Sequence, residues 1–376
     1  MRRPPPLALI PHTSVTPSNF DSPTPPLSAL GGARLPVAVL GATGTVGARL
    51  LERLEDHPWF RVAEVAASAR SEGRTLAASS AGDVTLSSET GALVLQSPSG
   101  PFRSHLVLSA LPADVAREVE PRLAAQGHLV VSNASAFRDD PAVPLIVPEV
   151  NPDHLGLLDG PSGRGIVTNP NCAVAGLMPA LAPLHSAFGV TRVLVTTFQA
   201  ISGAGRPGPA AASLIDNVIP WIGGEEEKIA REPGKILGTI SGGVAVPAEI
   251  VVSATATRVP VLHGHLESVS VELAQPASVD QAIETWRAFR APEVAAHLPS
   301  SPLRPVVVLT DDDRPQPRLD RDTHGGMAVS VGRIRPCEIL TLKFIVLSHN
   351  LERGAAGAAI LNAELAAAEG RVRDGV

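Results

Sequence analysis

The sequence predicts an α/β fold, with a doubly wound parallel sheet in its first half and a mixed α+β domain in its second. Three observations carry this. A short apolar run, Val37–Leu40, leads directly into the glycine-spaced turn Gly41-Ala42-Thr43-Gly44-Thr45-Val46-Gly47 and then into a helical run, Ala48–Leu54. Apolar runs and helical runs then alternate as far as Ser132, which is how parallel strands joined by crossover helices read in sequence. Beyond Cys172 the alternation gives way to long β-rich runs. A chain of 376 residues has room for roughly two such domains.

The elements follow in order. Residues 1–34 are rich in Pro, Ser and Thr and carry a single acid, Asp21. Their one apolar cluster, Leu7–Ile10, is too short for a signal-peptide core, so a disordered extension, or a start placed too far upstream, is predicted. Val37–Leu40 reads as the first buried strand and Phe60–Ala67 as the second. The Gly/Ser-rich stretch 71–104 shows no clear period. His105–Ala110 is a further strand, Pro112–Gln126 a helix with Pro at its start, and His128–Ser132 another strand. A helix is predicted over Ala173–Leu184. Strands follow over Thr191–Thr197, Ile250–Thr257, Glu267–Leu273, Val306–Thr310, Met327–Gly332 and Ile339–Leu347, with a helix over Val279–Phe289 and an Ala-rich helix over Gly354–Glu369. The predicted division is a cofactor domain over 35–171, completed by the C-terminal segment 348–376, and a second domain over 172–347.

Composition removes several function classes. The net charge of -6 and the lack of a basic stripe argue against general nucleic-acid binding. No apolar run approaches the ~20 residues of a membrane span. Two cysteines do not make a disulfide framework, and a reducing, cytoplasmic setting suits a free thiol.

The motifs point to a nucleotide and a nucleophile. Gly41 permits a tight turn, Gly44 lets the backbone approach a pyrophosphate, and Gly47 lets helix and strand pack closely, as in a Rossmann-type domain. At the end of the second strand no carboxylate is placed to hold a ribose hydroxyl. Arg70 and Ser71 stand there instead, suited to a 2′-phosphate, which favours NADP. Asn169-Pro170-Asn171-Cys172 sets a thiol at a helix start, where unpaired N–H groups and a positive field favour the thiolate. A thiolate beside a nicotinamide suggests aldehyde or acyl chemistry. Cys337, beside Pro336, reads as inert.

Strand ends carry the remaining candidates. Gln199 precedes the loop Ile201-Ser202-Gly203-Ala204-Gly205 and is placed to orient an acyl group. Arg258, which can clamp a carboxylate, precedes His263-Gly264-His265, where imidazole suits proton transfer. No carboxylate or cysteine cluster completes a metal site with the two histidines. Gly224-Glu225-Glu226-Glu227-Lys228 reads on its own as a solvated helix face.

Taken together with Ser132–Arg138 and with Ser348-His349-Asn350 and Arg353–Gly357, these segments resemble aspartate-semialdehyde dehydrogenase from about Pro36 onward. Asn217–Lys228 and Arg314–Asp322 are most similar to its archaeal and fungal branch. The resemblance implies that Cys172 is the acyl-forming nucleophile, His265 the acid/base, and that Gln199 orients the acyl intermediate. It implies that Arg258 and Glu225 bind the substrate, that Arg138 and Lys228 bind phosphate, and that Asn171 belongs to the substrate site. It places Gly41, Thr43, Gly44, Thr45, Val46, Arg70, Ser71, Ser202, Gly203 and Asn350 against NADP. The implied reaction is NADPH-dependent reductive dephosphorylation of L-4-aspartyl phosphate through a thioester, in biosynthesis of the aspartate-family amino acids. The implied partners are the small-molecule substrate and phosphate, and the implied assembly is a homodimer or homotetramer joined through the second domain's sheet.

Three alternatives compete on sequence. A malonyl-CoA reductase of the same fold would use the same thiolate and carboxylate clamp without needing Arg138 and Lys228 as a phosphate pair. An N-acetyl-glutamyl-phosphate reductase would be expected to carry Gly-Cys where this chain has Asn171-Cys172. A non-catalytic NADP-binding relative is disfavoured by the presence of Cys172, Gln199, Arg258 and His265 together.

Overall fold

The computed structural model describes residues 34–80, 84–160, 165–205 and 208–372. The predicted extension lies outside the described residues except for Arg34, as do the last four residues of the C-terminal segment.

The first half forms a six-stranded parallel sheet from β1 (Leu35–Leu40), β2 (Phe60–Ala66), β3 (Leu95–Gln96), β4 (Leu106–Ser109), β5 (Leu129–Ser132) and β6 (Ile166–Thr168). Its order is β3-β2-β1-β4-β5-β6, with β1 hydrogen-bonded to β2 on one side and β4 on the other. The direction of winding therefore reverses between β1 and β4, which opens a crevice at their carboxyl ends, and the glycine turn sits at that crevice. The helices Thr45–Leu54 and Gly357–Ala368 cover one face through Leu50, Leu54, Ile360 and Leu365. The helix Ala113–Ala125 covers the other through Ala116, Val119 and Leu123. Burial on both faces explains why β1, β4 and β5 read as unbroken apolar runs.

The second half forms a mixed sheet. Its strands are β7 (Val190–Gln199), β10 (Val251–Arg258), β11 (His265–Leu273), β12 (Val306–Val308), β13 (Val329–Pro336) and β14 (Leu342–Ser348), in the order β10-β7-β11-β14-β13-β12. A separate hairpin joins β8 (Thr239–Ser241) to β9 (Val244–Val246). One face of the large sheet packs the helices Cys172–Phe188 and Val279–Ala288, and Trp286 donates its indole N–H to the Ala180 carbonyl at 2.8 Å. Register does the positioning: Arg258 pairs with Gln199, and His265 with Ser348, so the candidate residues meet at one end of adjacent strands.

Several elements depart from expectation for local reasons. The first helix begins at Thr45 rather than Ala48, because Gly44 is already the extended cap residue. The aperiodic stretch 71–104 holds two short helices, Leu76–Ser79 and Ser88–Ala92, and the edge strand β3. The three-residue β6 is too short to show a period. The last strand starts at Leu342, because Ile339 sits 84% exposed on a turn. The C-terminal helix is preceded by a π-helical turn, Glu352–Ala356, instead of starting at Gly354.

Candidate active site

The helix carrying Cys172 starts at that residue and is capped by Asn171. The Asn171 Oδ1 accepts from the N–H groups of Ala173 at 2.9 Å and Val174 at 3.4 Å, satisfying donors that a helix start leaves free. Asn169 turns the other way, donating Nδ2 to Asn133 Oδ1 at 2.8 Å and accepting from Asn362 at 2.6 Å. The Cys172 Sγ lies 3.2 Å from His265 Nε2. On the far side of the ring, Nδ1 accepts the Ala200 N–H at 3.1 Å. A neutral His265 with Nδ1 facing a donor carries its proton on Nε2, and so presents Nε2–H to the sulfur.

The electrostatics correct one expectation. Burial pushes the Cys172 thiol up to about 12, and the nearby Glu225 charge adds to this; Arg138, Arg258 and the Ala173 N–H pull the other way but do not win. The positive field of the helix start is real but is outweighed by desolvation and one carboxylate. Burial, with help from Arg258, holds His265 down at about 3, so the ring is neutral. Cys172 and His265 are thus a neutral thiol–imidazole pair in the unliganded site.

The charged residues converge from three elements. Glu225, the first residue of the helix Glu225–Ile236, accepts from Asn171 Nδ2 at 2.7 Å, Lys228 Nζ at 2.9 Å and Gln199 Nε2 at 3.3 Å. Burial alone would raise its pKa, but these partners hold the carboxyl below the usual range. Gln199 also donates to Thr197 Oγ1 at 3.3 Å. Arg258 donates Nη1 to the Ala200 carbonyl at 2.6 Å. Gly203 packs over it so closely that an added Cβ would lie 3.0 Å from the guanidinium and 3.1 Å from His265. The run Glu225–Lys228 is therefore only half a solvated face: Glu227 faces solvent while Glu225 is buried at the site.

A cavity of about 280 Å³ adjoins the thiol, lined by Thr45, Val46, Asn133, Arg138, Asn171, Cys172, Ser202, Gly203, Glu225, Lys228, Asn350 and Gly354 among others. It joins the glycine turn to the nucleophile. Gly41 has a positive φ of 72°, and a Cβ on Gly47 would fall 2.1 Å from the Gly41 carbonyl, so the turn accepts only glycine at both positions. Asn350 donates to Ser202 Oγ at 2.9 Å and accepts the Gly264 N–H at 2.9 Å, while His263 Nδ1 contacts Ser202 Oγ at 2.9 Å. The two histidines of the His-Gly-His segment thus face different partners. Gly41, Thr43 and Gly44 on the turn, and Arg70 and Ser71 beyond β2, do not line this cavity. Arg70 is exposed, and the Ser71 N–H closes a local turn on the Ser68 carbonyl at 2.8 Å. The turn and the cavity fit an extended dinucleotide: glycine without Cβ at the crevice, N–H groups of a helix start beside it, and the thiol at the far end.

Sequence reasoning passed over four residues that the structure brings here. Glu232 accepts from Arg138 Nη1 at 3.1 Å and from the Asn171 N–H at 2.5 Å. Lys235 donates to the carbonyls of Arg138, Asp140 and Val143, each at 2.7 Å, and burial pulls its pKa down to about 8. Both lie on the inward face of the Glu225–Ile236 helix, and helical spacing from Glu225 was the available signal. Glu267 is buried two residues along β11 from His265, with its carboxyl pushed well up by desolvation. Gly354 passes so near the nucleophile that a Cβ would lie 2.7 Å from that of Cys172.

Comparison with known proteins gives a consistent picture. Residues 36–158 match the semialdehyde dehydrogenase NAD-binding domain and residues 181–353 the semialdehyde dehydrogenase dimerisation domain. The chain is 46% identical over 342 residues to an aspartate-semialdehyde dehydrogenase of Archaeoglobus fulgidus, covering 88% of this chain and 98% of that one. It is 42% identical over 361 residues to one from Cryptococcus neoformans, covering 90% and 99%. Among solved structures, that of aspartate-semialdehyde dehydrogenase with NADP from Candida albicans superposes with a TM-score of 0.83 at 38% identity, covering 90% of this chain and 100% of that one.

Proposed function

The chain belongs to the semialdehyde dehydrogenase family, among the aspartate-semialdehyde dehydrogenases, and from that premise we propose how its residues divide the reaction. The reaction is the reversible, NADPH-dependent reductive dephosphorylation of L-4-aspartyl phosphate to L-aspartate 4-semialdehyde, a step in biosynthesis of the aspartate-family amino acids. The observation that carries the residue assignment is the thiol of Cys172, 3.2 Å from His265 Nε2, in a cavity shared by the glycine turn and a cluster of cations.

Cys172 Sγ attacks the acyl carbon, its proton passes to the departing phosphate as the bond from that carbon to the phosphate oxygen breaks, and the acyl group stays on sulfur as a thioester. When bound, NADPH supplies hydride to the acyl carbon. The carbon–sulfur bond then breaks and the aldehyde leaves, with the His265 Nε2–H placed to hydrogen-bond the departing thiolate. Arg138 and Lys228 on the cavity wall offset the charge of the leaving phosphate, Arg258, which lies behind Gly203, clamps the substrate carboxylate, and Glu225 takes its ammonium group. That last pairing has a second effect. Neutralising Glu225 removes one of the two influences that hold the thiol up, while the carboxylate on Arg258 and the phosphate on Arg138 cover the two cations that hold it down. Gln199, tied to Glu225 and Thr197, orients the acyl carbonyl, and Asn171 sets the helix start under it.

Gly41 and Thr43–Val46 would hold the cofactor pyrophosphate, Ser202, Gly203 and Asn350 on the cavity wall its nicotinamide end, and Arg70 and Ser71 its 2′-phosphate. The proposed division assigns 35–171 with 348–376 to the cofactor domain and 172–347 to catalysis. The dimerisation-domain match indicates oligomerisation. Exposed apolar side chains on the second sheet's edge strand β10, Val251, and on β7 beside it, Leu194, favour that sheet as the contact in a homodimer or homotetramer. No helix among the described residues is long and apolar enough to cross a membrane, and we place the enzyme in the cytoplasm.

A substrate panel tests this reading. Purified protein assayed with NADP or NAD should turn over aspartate semialdehyde only when phosphate is present, and should favour NADP. A clear preference for malonyl-CoA or N-acetyl-glutamate semialdehyde would overturn it.

A further inference from the structure

The carboxylate of Glu232 touches two parts of the site that come from different elements. Its Oε1 accepts from Arg138 Nη1 at 3.1 Å, and its Oε2 accepts the Asn171 N–H at 2.5 Å. Arg138 lies in the segment after β5, while Asn171 caps the nucleophile helix. An N-cap residue's own N–H is commonly satisfied by an acid three residues on in the same helix. Here that service comes from a distant helix, and the same carboxylate balances a buried guanidinium. The remaining contacts of Arg138 leave it directed at the cavity: Nη2 donates to the Asn133 carbonyl at 2.8 Å, and Nε has no protein partner. One turn further along the same helix, Lys235 fastens the carbonyls of Arg138, Asp140 and Val143.

We propose that Glu232 is a positioning residue: it sets the guanidinium of Arg138 and the start of the Cys172 helix at a fixed separation, so that phosphate and nucleophile meet the same acyl carbon. This rests on the assignment of Arg138 to phosphate. Glu232 touches neither substrate nor cofactor and acts through those two groups. A carboxylate is required, because a guanidinium and an amide N–H are both donors and each needs an acceptor oxygen on the same side chain. A carboxamide offers one acceptor and turns its NH₂ on the other donor.

The test is a double-mutant cycle with Glu232→Gln and Arg138→Gln, read as the KM for phosphate, the KM for NADP and kcat in the aldehyde-oxidising direction. Glu232→Gln should raise the phosphate KM at least about tenfold and lower kcat, leaving the NADP KM within about twofold. The double variant should be no worse for phosphate than Arg138→Gln alone, because Glu232 acts through Arg138. Additive losses, or equal changes in all three parameters, would overturn the inference. If Arg138→Gln itself leaves the phosphate KM unchanged, the phosphate assignment fails first. Should Glu232→Gln not fold, Glu232→Asp, which keeps the charge but is too short to hold both contacts, is read by the same criteria.

Discussion

The thiol of Cys172 is the residue on which the chemistry turns, and its surroundings hold it protonated in the unliganded site. Burial first, and Glu225 second, push it up to about 12. Removing the Glu225 charge should therefore speed alkylation of Cys172. We expect Glu225→Gln to raise the iodoacetamide rate about tenfold at mildly alkaline pH while lowering turnover. An unchanged or slower alkylation rate would show that Glu225 does not control the thiol. The Asn-Cys helix start was legible in sequence, and so was the histidine partner. The direction of the thiol's shift was not, because desolvation depends on what segments distant in sequence place over the sulfur. Histidines add a pH signature. His265 is held at about 3 and His349 at about 4, chiefly by burial, against an ordinary 6.5. Below about 6.5 these two rings bind fewer protons folded than unfolded, so their own contribution to stability falls as pH drops, by roughly 1.4 kcal/mol per histidine per pH unit, while Glu267, whose carboxyl burial pushes well up, contributes in the opposite direction. Imidazole NMR signals of His265 and His349 that titrate near pH 6.5 would contradict the burial of these rings.

Two elements do most of the positioning. The Cys172–Phe188 helix is held by its cap and by contact with the π-helical turn Glu352–Ala356. Gly354 in that turn leaves no space for a methyl group beside Cys172. Gly354→Ala should displace the nucleophile and cut kcat by roughly a hundredfold, since misplacement by about an ångström has that scale of effect. Near-normal turnover in that variant would mean the turn does not fix the thiol. The Glu225–Ile236 helix places Glu225, Lys228, Glu232 and Lys235 along one inward side. Its charge-rich start looked solvated in sequence because charge runs usually are, and only the Asn171 and Gln199 amides that face Glu225 show why an acid there is buried. The strands of the first sheet were the most legible elements, since burial on both faces leaves apolar runs. The short β3 and β6 and the edge of β14 were not, because their limits are set by neighbours.

On the scale of the whole molecule, the site exists only because the chain returns on itself. The C-terminal segment crosses from β14 to the first sheet, and on the way Arg353 forms a fully buried ion pair with Glu149 and reaches the Ala175 carbonyl at 3.4 Å. Arg353→Met would leave Glu149 buried without a partner, and we expect a loss of about 3–5 kcal/mol in unfolding free energy. A denaturant midpoint within error of wild type would show that this link does not hold the two sheets together. The alternation of strands and helices revealed the first sheet and its crevice. The closure of the cavity by segments far apart in sequence has no local pattern, and it came into view only through the ordered set of motifs. The central claim is that Cys172 carries the acyl group. The most direct measurement is intact and peptide mass spectrometry after mixing the protein with aspartate semialdehyde and NADP without phosphate. An aspartyl adduct on Cys172 that phosphate discharges, absent in a Cys172→Ala variant that still binds NADP, is the predicted result. Turnover by that variant, or an adduct on another residue, would contradict the account.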